Sequence, residues 1–444
     1  MIQLVISTND LSALRNGLLA SEVEHCAVLY AEEVTRGDGV IRLLVRNIDE
    51  PSAGDYAIQA IDRSELTPEF VARAAKRAKL NKLSLIFAHS HPGLHRPQFS
   101  STDDAGEKLL ATFLTKRGLN PIHAALVVSR GGLRARRLGT REEIDVISVG
   151  SEMIVESTAQ NCELEVAKQF DRQVRAFGAD GQRVLHRLRV GIVGLGGTGS
   201  ILAQQLVHLG IRDFILIDPD TIAETNLNRV VGATFDDIGV PKIDVVERYL
   251  IAHSAMTTVR KIPGNVVRAS VAQELSAVDV ILSCTDSHGS RSVIQQIAYQ
   301  YLIPCIDMGS TITTDDGKVT GIFGRVQLLS PGEPCLWCCN LLDAEQVRRD
   351  MMSDVERRLD PYIQGAEEPA PSVVWLNGTV VSLAVGMLMA VATSAPLRGR
   401  HLIYNAQTAS LRSVRATPRS DCFICSKEGV MAKGDRQQLY ARQD

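Results

Sequence analysis

Apolar and polar positions first define a compact α/β block in the N-terminal part of the chain. Residues 83–88 form an apolar run that predicts a strand, and a polar loop follows it. Residues 103–116 have the apolar spacing of a helix, and residues 123–129 are again apolar and strand-like. We therefore expect a first α/β domain over residues 1–145.

The pattern changes after this block. Residues 148–181 are helical in pattern, mixed in charge and free of proline, which predicts a connector helix over residues 146–170. Residues 190–218 follow the order strand, glycine-rich turn, helix and strand, which is typical of the opening of a βαβ unit. The second domain, residues 171–444, is therefore predicted to contain a Rossmann-like α/β fold.

Composition narrows the possible partners. A chain of 444 residues is too long for one core, and 45% hydrophobic with 22% charged residues is typical of a protein that is folded throughout. A net charge of −3 gives no general electrostatic reason to bind nucleic acid or anionic lipid, so we expect proteins and nucleotides as partners. The first residues lack a basic leader and a cleavage site, which predicts a cytoplasmic protein.

One apolar segment is long enough to cross a membrane. Residues 373–395 are almost continuously apolar. The segment also contains Asn377, Thr379 and Ser382, and these polar positions favour a buried core helix over a membrane span.

Four of the nine cysteines form two C-x-x-C pairs: Cys335 with Cys338, and Cys422 with Cys425. In a cytoplasmic protein such pairs indicate metal binding more than disulfides. Four thiolates from two such turns make a closed tetrahedral zinc site, which is structural because no position is left for water. The alternative is four unrelated buried cysteines.

A second metal motif follows the strand predicted at residues 83–88. His89 and His91 are two residues apart, so in extended backbone both imidazoles point to the same side and can bind one ion. A carboxylate at the start of the next helix can supply a third ligand, which leaves a fourth position for the water of a catalytic zinc. The alternative for an H-x-H pair alone is two surface histidines.

These residues are similar to the JAMM (MPN+) metallopeptidase family, whose pattern is a distant glutamate, then H-x-H-P, then S-x-x-D. The resemblance covers about the first 140 residues. It implies that His89, His91 and Asp103 bind zinc, that Ser100 supplies a hydroxyl on the oxyanion side, and that Glu24 is the general base. It also implies a peptide or isopeptide substrate, cleaved after a ubiquitin-like C-terminal tail.

Two of these assignments have alternatives in the sequence. Glu22 lies close enough to Glu24 to be the base instead. Asp104 fits the same pattern as Asp103, because Ser101 precedes it by three residues.

The glycine-rich turn of the second domain indicates a nucleotide site. Gly194, Gly196 and Gly199 lie at a strand-to-helix turn, where backbone and helix N-terminus can approach phosphates. Asp218 follows about twenty residues later, where it can hold ribose hydroxyls. A nicotinamide-dependent dehydrogenase fits these positions equally well.

Four further residues favour nucleotidyl transfer: Asn226, Arg229, Lys242 and Asp286. Attack at an α-phosphate requires cations for the developing charge and a carboxylate for magnesium, whereas hydride transfer does not. Each residue alone has a structural alternative, since Asn226 can cap a turn, Lys242 can be a solvated cation and Asp286 can begin a helix.

The set resembles the ThiF/MoeB/ubiquitin-activating-enzyme superfamily over about residues 171–426. The resemblance implies attack by a protein's C-terminal carboxylate on Mg²⁺-bound ATP, giving an acyl-adenylate and pyrophosphate. It implies that Arg172 reaches the nucleotide of a partner subunit, and hence a homodimer, and that the two C-x-x-C pairs bind structural zinc. The implied nucleotide positions are Gly194, Gly196, Gly197, Gly199, Asp218, Asn226, Arg229, Lys242 and Asp286.

The match departs from the superfamily at the thiol. Members that transfer the activated tail to their own cysteine keep it in the crossover segment, and residues 340–372 contain none. Cys339 is a conceivable substitute, but we expect adenylate formation alone, with the thiol supplied by a partner.

Together the two domains predict a bifunctional enzyme of a bacterial ubiquitin-like conjugation system. Its expected partners are a β-grasp ubiquitin-like protein and a conjugating enzyme, and its expected cofactors are ATP, Mg²⁺, one catalytic zinc and one structural zinc. The alternative enzymatic function is activation of a sulfur-carrier protein. A third hypothesis is a nucleotide-sensing scaffold with a degenerate zinc site, which the intact His89, His91, Asp103 and Glu24 disfavour.

Overall fold

A computed structural model describes residues 1–119, 122–157, 166–359, 370–393 and 395–443. The chain divides into two compact units. Unit 1 comprises Met1–Glu163, Gln300–Leu302 and Val430–Gln437, and unit 2 comprises Leu164–Tyr299, Ile303–Gly429 and Gln438–Asp444.

Unit 1 is built on ten strands and three α-helices in its described part. The strands are β1 (Ile2–Ser7), β2 (Cys26–Thr35), β3 (Ile41–Asp49), β4 (Tyr56–Gln59), β5 (Ser64–Leu66), β6 (Ser84–Ser90), β7 (Ala124–Ser129), β8 (Gly132–Arg137), β9 (Glu143–Val149) and β10 (Met153–Ser157). The helices are α1 (Thr8–Leu18), α2 (Pro68–Asn81) and α3 (Ser101–Lys116), with short 3₁₀ turns at Ala53–Asp55 and Gly434–Arg436.

Eight of these strands form one sheet in the order β1-β3-β2-β6-β7-β8-β9-β10, and β4 pairs with β5 separately. Parallel pairing of β1 with β9 closes the sheet on itself. One face packs on α1 through Leu11, Leu14 and Leu18, and the other packs on α2 and α3 through Phe70 and Leu114. The predicted strand–loop–helix–strand order is confirmed as β6, α3 and β7, and this order places the H-x-H motif at the end of β6.

The predicted connector helix over residues 146–170 is wrong in its described part. Residues 146–149 belong to β9, and Met153–Ser157 forms β10. Alternate residues of β9, including Ile144 and Val146, are buried, so the two-residue period of a strand prevails over the helical spacing. Residues 158–165 lie outside the described part, and Lys168–Phe170 forms only a 3₁₀ turn.

Unit 2 contains the remaining strands and helices. The strands are β11 (Arg189–Val193), β12 (Asp213–Ile217), β13 (Thr258–Ile262), β14 (Val280–Ser283), β15 (Cys305–Asp315), β16 (Lys318–Leu329), β17 (His401–Asn405) and β18 (Ser410–Ser413). The helices are α4 (Asp171–Arg187), α5 (Gly197–His208), α6 (Lys242–His253), α7 (Ala269–Gln273), α8 (His288–Gln300), α9 (Ala344–Met351), α10 (Asp354–Leu359) and α11 (Val374–Thr393). Short 3₁₀ turns lie at Glu224–Asn226, Phe235–Asp237 and Glu274–Ala277.

The sheet of unit 2 has the order β13-β12-β11-β14-β15-β16-β17-β18. In this order, the five strands from β13 through β11 to β15 pair in parallel. The four strands from β15 to β18 pair antiparallel. The chain moves outward from β11 through β12 to β13, then returns to place β14 on the other side of β11. The order of strands therefore reverses at β11, and ligands of open α/β sheets bind beyond the carboxyl ends of the strands at such a point.

The apolar segment near residue 380 forms α11, the one helix in the described ranges with the length and composition to cross a membrane. It packs against α5, β15 and β16 within unit 2. Leu376, Val380, Ala384 and Leu388 have no solvent exposure, and Asn377 is 1% exposed with its side-chain oxygen accepting a hydrogen bond from Ser310 Oγ. The prediction of a buried core helix is confirmed.

Candidate functional site

The H-x-H motif brings two imidazoles together at the carboxyl end of β6. His89 Nε2 and His91 Nε2 are 3.2 Å apart. His89 lies opposite Cys26 in the pairing of β2 with β6, and the extended backbone turns both rings to the same side.

The third predicted ligand, Asp103, lies in the first turn of α3. Its Oδ1 is 3.2 Å from His89 Nε2, and its Oδ2 is 3.7 Å from His91 Nε2. One ligand atom from each of these three residues lies within 4.8 Å of the others, a spacing that fits a single metal ion. The structure thus brings together the three residues predicted to bind the catalytic zinc.

Ser100 has a structural role that the sequence did not predict. It is the N-cap of α3, its Oγ donates to Asp103 Oδ2 over 2.9 Å, and the Asp103 N–H donates back to Ser100 Oγ over 3.1 Å. This capping box fixes the Asp103 carboxylate toward the histidines. The predicted oxyanion role of Ser100 stays a prediction.

Geometry favours Glu24 over Glu22 as the acid–base residue. Glu24 is 8% exposed, and its Oε1 lies 3.6 Å from His91 Nε2. The side chain of Glu22 is 72% exposed and forms an ion pair with Arg130. Glu24 also accepts a hydrogen bond from Ser64 Oγ over 3.4 Å.

Asp104 points away from the histidines. Its carboxylate is paired with Arg136, 2.8 Å away, and with Arg141, 3.3 Å away. Asp103 is therefore the carboxylate that the structure places at the metal-ligand cluster.

A cavity of about 1060 Å³ opens onto this cluster. Its polar wall includes Glu24, His89, His91 and Asp103, and its apolar wall lies between α2, α3 and the sheet. The apolar lining residues include Leu66, Val71, Phe87, Leu110 and Phe113.

The pKa shifts of Asp103 and His91 are in the directions that favour metal-binding forms of their side chains. Burial acts to raise the pKa of Asp103, but hydrogen bonds and charge from His89, together with Ser100, hold it well below its usual range. Burial lowers the pKa of His91, with a further contribution from His89, so this imidazole favours the neutral form that binds metal. Burial raises the pKa of Glu24, as suits a group that takes up a proton.

In unit 2, the glycine-rich turn joins β11 to α5. Gly194 has a φ of +87°, and a Cβ there would lie 2.9 Å from the Cys284 carbonyl oxygen at the end of β14. A Cβ on Gly199 would lie 1.9 Å from the Gly194 carbonyl oxygen, and one on Gly197 would lie 2.4 Å from Asn377 Nδ2. A Cβ on Gly196 would meet nothing within 4 Å. Gly194 and Gly199 are thus required by close backbone contacts, Gly197 is packed against the Asn377 side chain, and Gly196 leaves an open backbone surface.

Asp218 follows β12 and holds the turn in place. It is 5% exposed, its Oδ2 accepts the Leu195 N–H over 2.6 Å, and its Oδ1 accepts the Asp220 N–H over 2.8 Å. Burial raises the pKa of Asp218, and the charge of Lys242 opposes this shift. Lys242 begins α6, is only 8% exposed, and its Nζ lies 2.8 Å from Asp220 Oδ2.

Asp220 is a residue that sequence reasoning missed. The sequence contained a signal for it, because Asp218 and Asp220 flank Pro219 directly after β12. A second carboxylate at this point can pair with a cation that faces the glycine turn. Lys242 is consequently a buried, paired cation and not a solvated one.

The other predicted nucleotide residues occupy three settings. Asn226 is buried, and its Oδ1 accepts a hydrogen bond from the Ala223 N–H over 3.1 Å. This contact is the turn cap that the sequence offered as the structural alternative. Arg229 Nη1 donates to the Thr225 carbonyl over 2.6 Å, and its side chain borders Gly197. Asp286 is exposed in the loop between β14 and α8, on the opposite side of β11 from Asp218.

The four C-x-x-C cysteines form one cluster. Cys335 Sγ and Cys422 Sγ are 3.5 Å apart, as are Cys338 Sγ and Cys425 Sγ, and all four sulfurs lie within 4.8 Å. Backbone N–H groups donate to two of the sulfurs, from Arg419 to Cys338 over 3.4 Å and from Ile424 to Cys422 over 3.5 Å. This donor set fits the four thiolates of a closed tetrahedral zinc site.

A family model decides the identity of this region. The model of the ThiF family matches residues 170–424, which include the glycine turn, Asp218, Lys242 and all but the last of the clustered cysteines. The chain belongs to the ThiF family. Residues 1–169 lie outside that match.

Curated relatives of this ThiF-family chain cover the same region. The molybdopterin-synthase adenylyltransferase of Escherichia coli K12 is 27% identical over 264 residues, which are 58% of this chain and 96% of that protein. The SAMP-activating enzyme E1 of Haloferax volcanii is 25% identical over 281 residues, 60% of this chain and 92% of its own. The sulfur carrier protein adenylyltransferase of Thermus thermophilus is 28% identical over 253 residues, 56% of this chain and 87% of its own.

Two further residues of this ThiF-family chain bear on transfer and assembly. Cys339 lies outside the cysteine cluster, accepts a hydrogen bond from Gln327 Nε2 over 3.4 Å, and burial raises the pKa of its thiol. A raised pKa disfavours the nucleophilic thiolate. The expectation that a partner supplies the thiol stays a prediction. Arg172 is exposed in the first turn of α4, and its role at a partner's nucleotide stays a prediction.

Proposed function

We propose that unit 2 uses ATP to adenylate the C-terminal carboxylate of a small carrier protein of the ubiquitin-like or sulfur-carrier kind. The observation that carries this proposal is the buried Lys242, which pairs with Asp220 just after β12, next to the glycine turn at which the strand order reverses. A dinucleotide-dependent dehydrogenase has no need of a buried cation there. Nucleotidyl transfer does, because negative charge develops on the α-phosphate.

The relatives support the reaction class. One is named as an adenylyltransferase for molybdopterin synthase, another as one for a sulfur carrier protein, and a third as an activating enzyme for SAMP. These activities belong to those proteins, and their shared element is the activation of another protein, which two of the names specify as adenylyl transfer. We extend that shared element to this chain.

The residues of unit 2 would divide the task as follows. The open backbone at Gly196 and the N-terminus of α5 offer N–H groups to phosphate, and Lys242 supplies the compensating charge. Asp286 is the carboxylate that we assign to magnesium, and a bound Mg²⁺ would neutralise phosphate charge during transfer. Asp218 would serve the ribose hydroxyls while it braces the turn through Leu195.

Carrier-dependent pyrophosphate exchange tests this function. The full chain is incubated with ATP, Mg²⁺, labelled pyrophosphate and each of a panel of β-grasp proteins, with matched versions that lack the last two residues. We expect exchange with at least one intact carrier and none with its truncated form. Exchange with no carrier in the panel, or equal exchange with truncated carriers, would contradict the proposal.

We also propose that unit 1 is a zinc peptidase that cleaves at the end of such a carrier. The specific observation is the cluster of His89, His91 and Asp103 at one wall of a large cavity, with Glu24 beside it. A bound zinc would supply a Lewis acid that activates water. Glu24, 3.6 Å from His91, would take a proton from that water and pass it to the leaving amine, and burial raises its pKa toward that task.

The two functions act on the same end of a polypeptide. Cleavage would expose a carrier's terminal carboxylate or release a conjugate, and adenylation would activate that carboxylate. We favour a ubiquitin-like conjugation system of bacterial type, with a conjugating enzyme or another thiol-bearing acceptor as partner. The alternative is a sulfur-carrier system, and mass spectrometry of the carrier separates them, because the first yields a protein conjugate and the second a thiocarboxylate.

A further inference from the structure

Arg136 in β8 lies behind the metal-ligand cluster, and no motif of the sequence draws attention to it. Its side chain is 7% exposed. It pairs with two carboxylates of the same helix: Nη2 lies 2.8 Å from Asp104 Oδ1 and 2.9 Å from Glu107 Oε1. Its Nε donates to Glu107 Oε2 over 3.1 Å, so the pair with Glu107 is a fork with two parallel hydrogen bonds.

The same guanidinium also holds the loop that precedes α3. Its central carbon lies 3.9 Å from the ring centroid of Phe99, and the Phe99 ring lies 6.3 Å from that of His89. Phe99 directly precedes Ser100, the N-cap of α3. One side chain therefore contacts the residue just before the N-cap and two residues of the first two helical turns.

Asp103 lies between these contacts in sequence. Because Asp104 and Glu107 are three residues apart, they lie on one face of α3, and Asp103 lies beside that face, toward His89 and His91. By holding the face that carries Asp104 and Glu107, Arg136 sets the rotation of α3 about its axis. By contacting Phe99, it also sets the position of the first helical turn. Those two quantities determine where the Asp103 carboxylate lies.

We infer that Arg136 is a positioning residue for the metal centre, which holds the N-terminal turn of α3 so that Asp103 meets the two histidines. The inference rests on the proposed zinc centre of unit 1. The planar fork and the stacking on Phe99 both require a guanidinium, so lysine is not an equivalent residue at this position. Partners that orient metal ligands contribute about 10- to 100-fold to metal affinity.

The test measures zinc affinity of the full chain by competition with a graded series of chelators. Asp103→Asn supplies the baseline that retains only the cysteine-bound zinc. Arg136→Lys is expected to bind the second zinc at least about tenfold more weakly than the wild type, with the cysteine-bound zinc unchanged. With Co²⁺ in place of zinc, the visible absorption of the histidine–aspartate site should weaken or shift in the same variant.

The matched control is Arg141→Ala, because Arg141 pairs with the same Asp104 but has a side chain that is 88% exposed. It should keep the affinity of the wild type. Glu107→Gln is the second test variant, used if Arg136→Lys does not fold, and it should weaken the same zinc because it replaces the ionic fork by a neutral amide.

Each outcome decides a separate claim. A wild-type chain that binds only the cysteine-bound zinc refutes the proposed metal centre itself. The role of Arg136 alone is overturned if folded Arg136→Lys or Glu107→Gln binds two zinc ions with wild-type affinity. It is also overturned if Arg141→Ala weakens zinc binding as much as the test variants do. Failure of both test variants to fold also overturns it, because Arg136 would then support the whole unit and not the ligand helix.

Discussion

Gly199 lies so close to Gly194 that a Cβ on Gly199 would be 1.9 Å from the Gly194 carbonyl oxygen. The first residue of the turn and the third residue of α5 are therefore in direct backbone contact. Side chains are excluded here for reasons of packing, whereas Gly196 has open space around its Cα and a φ of −71°.

This contrast gives a matched pair of variants. Gly199→Ala should lower the free energy of unfolding by about 3 kcal/mol or more, because overpacking against backbone cannot be relieved by a side-chain rotation. Gly196→Ala should change it by no more than about 1 kcal/mol but weaken ATP binding, since the new methyl group occupies the surface offered to phosphate. Thermal denaturation and calorimetric ATP titration measure the two effects. Equal ATP affinity in Gly196→Ala and the wild type would exclude that backbone surface as the phosphate site.

Lys242 is expected to act on the reaction more than on stability. Lys242→Met should lower the rate of carrier-dependent pyrophosphate exchange by about 10²-fold, which is the usual loss when one charge-stabilising group is removed. The control is Lys261→Met, because Lys261 pairs with Asp244 and Glu247 of α6 but lies in β13, and its side chain is 35% exposed. A similar loss in both variants would mean that Lys242 supports α6 and not the phosphate.

Sequence predicted the parts of both sites that depend on residues close together in the chain. Turn geometry alone determines the backbone direction of the segment from Gly194 to Gly199. Strand geometry alone determines that the side chains of His89 and His91 point to the same side. The sequence could not predict that Lys242 meets Asp220 or that Arg136 meets Glu107, because those pairs join different elements and depend on how the elements pack. Asn226 shows a further limit, since an amide suits a turn cap and a ligand contact equally well.

The same reasoning explains the error at residues 146–157. Strand β9 pairs with β1, which lies about 140 residues away in sequence, and also with its neighbours β8 and β10, and these pairings hold the segment in the sheet. A pattern with both helical and alternating spacing is decided by such tertiary contacts.

The cysteine cluster should bind one zinc that supports folding. Cys338→Ser should lose one equivalent of zinc and unfold at a lower temperature, because structural zinc contributes on the order of 10 kcal/mol in small zinc-dependent folds. Cys339→Ser, the adjacent residue outside the cluster, should keep both zinc content and melting temperature. Metal analysis by mass spectrometry with a thermal melt checks both. Unchanged zinc in Cys338→Ser would show that the four cysteines are simply buried neighbours.

Glu24 should be required for cleavage and dispensable for metal binding. Glu24→Gln is expected to keep the zinc of unit 1 and to lose about 10²- to 10⁴-fold in cleavage of a carrier fusion, as when a general base is removed. Glu22→Gln is the control, since its exposed side chain pairs with Arg130. Cleavage by Glu24→Gln at the rate of the wild type would remove Glu24 from the proton transfer.

The most direct test of the nucleotide assignment is a crystal structure of the full chain grown with a non-hydrolysable ATP analogue and Mg²⁺, with a parallel crystal grown with NAD⁺. We predict that the triphosphate lies at the Gly194–Gly199 turn with Lys242 and Asp286 on its phosphates, and that the second crystal contains no dinucleotide. A nicotinamide dinucleotide bound at that turn, or a triphosphate bound out of reach of Lys242 and Asp286, would contradict this prediction.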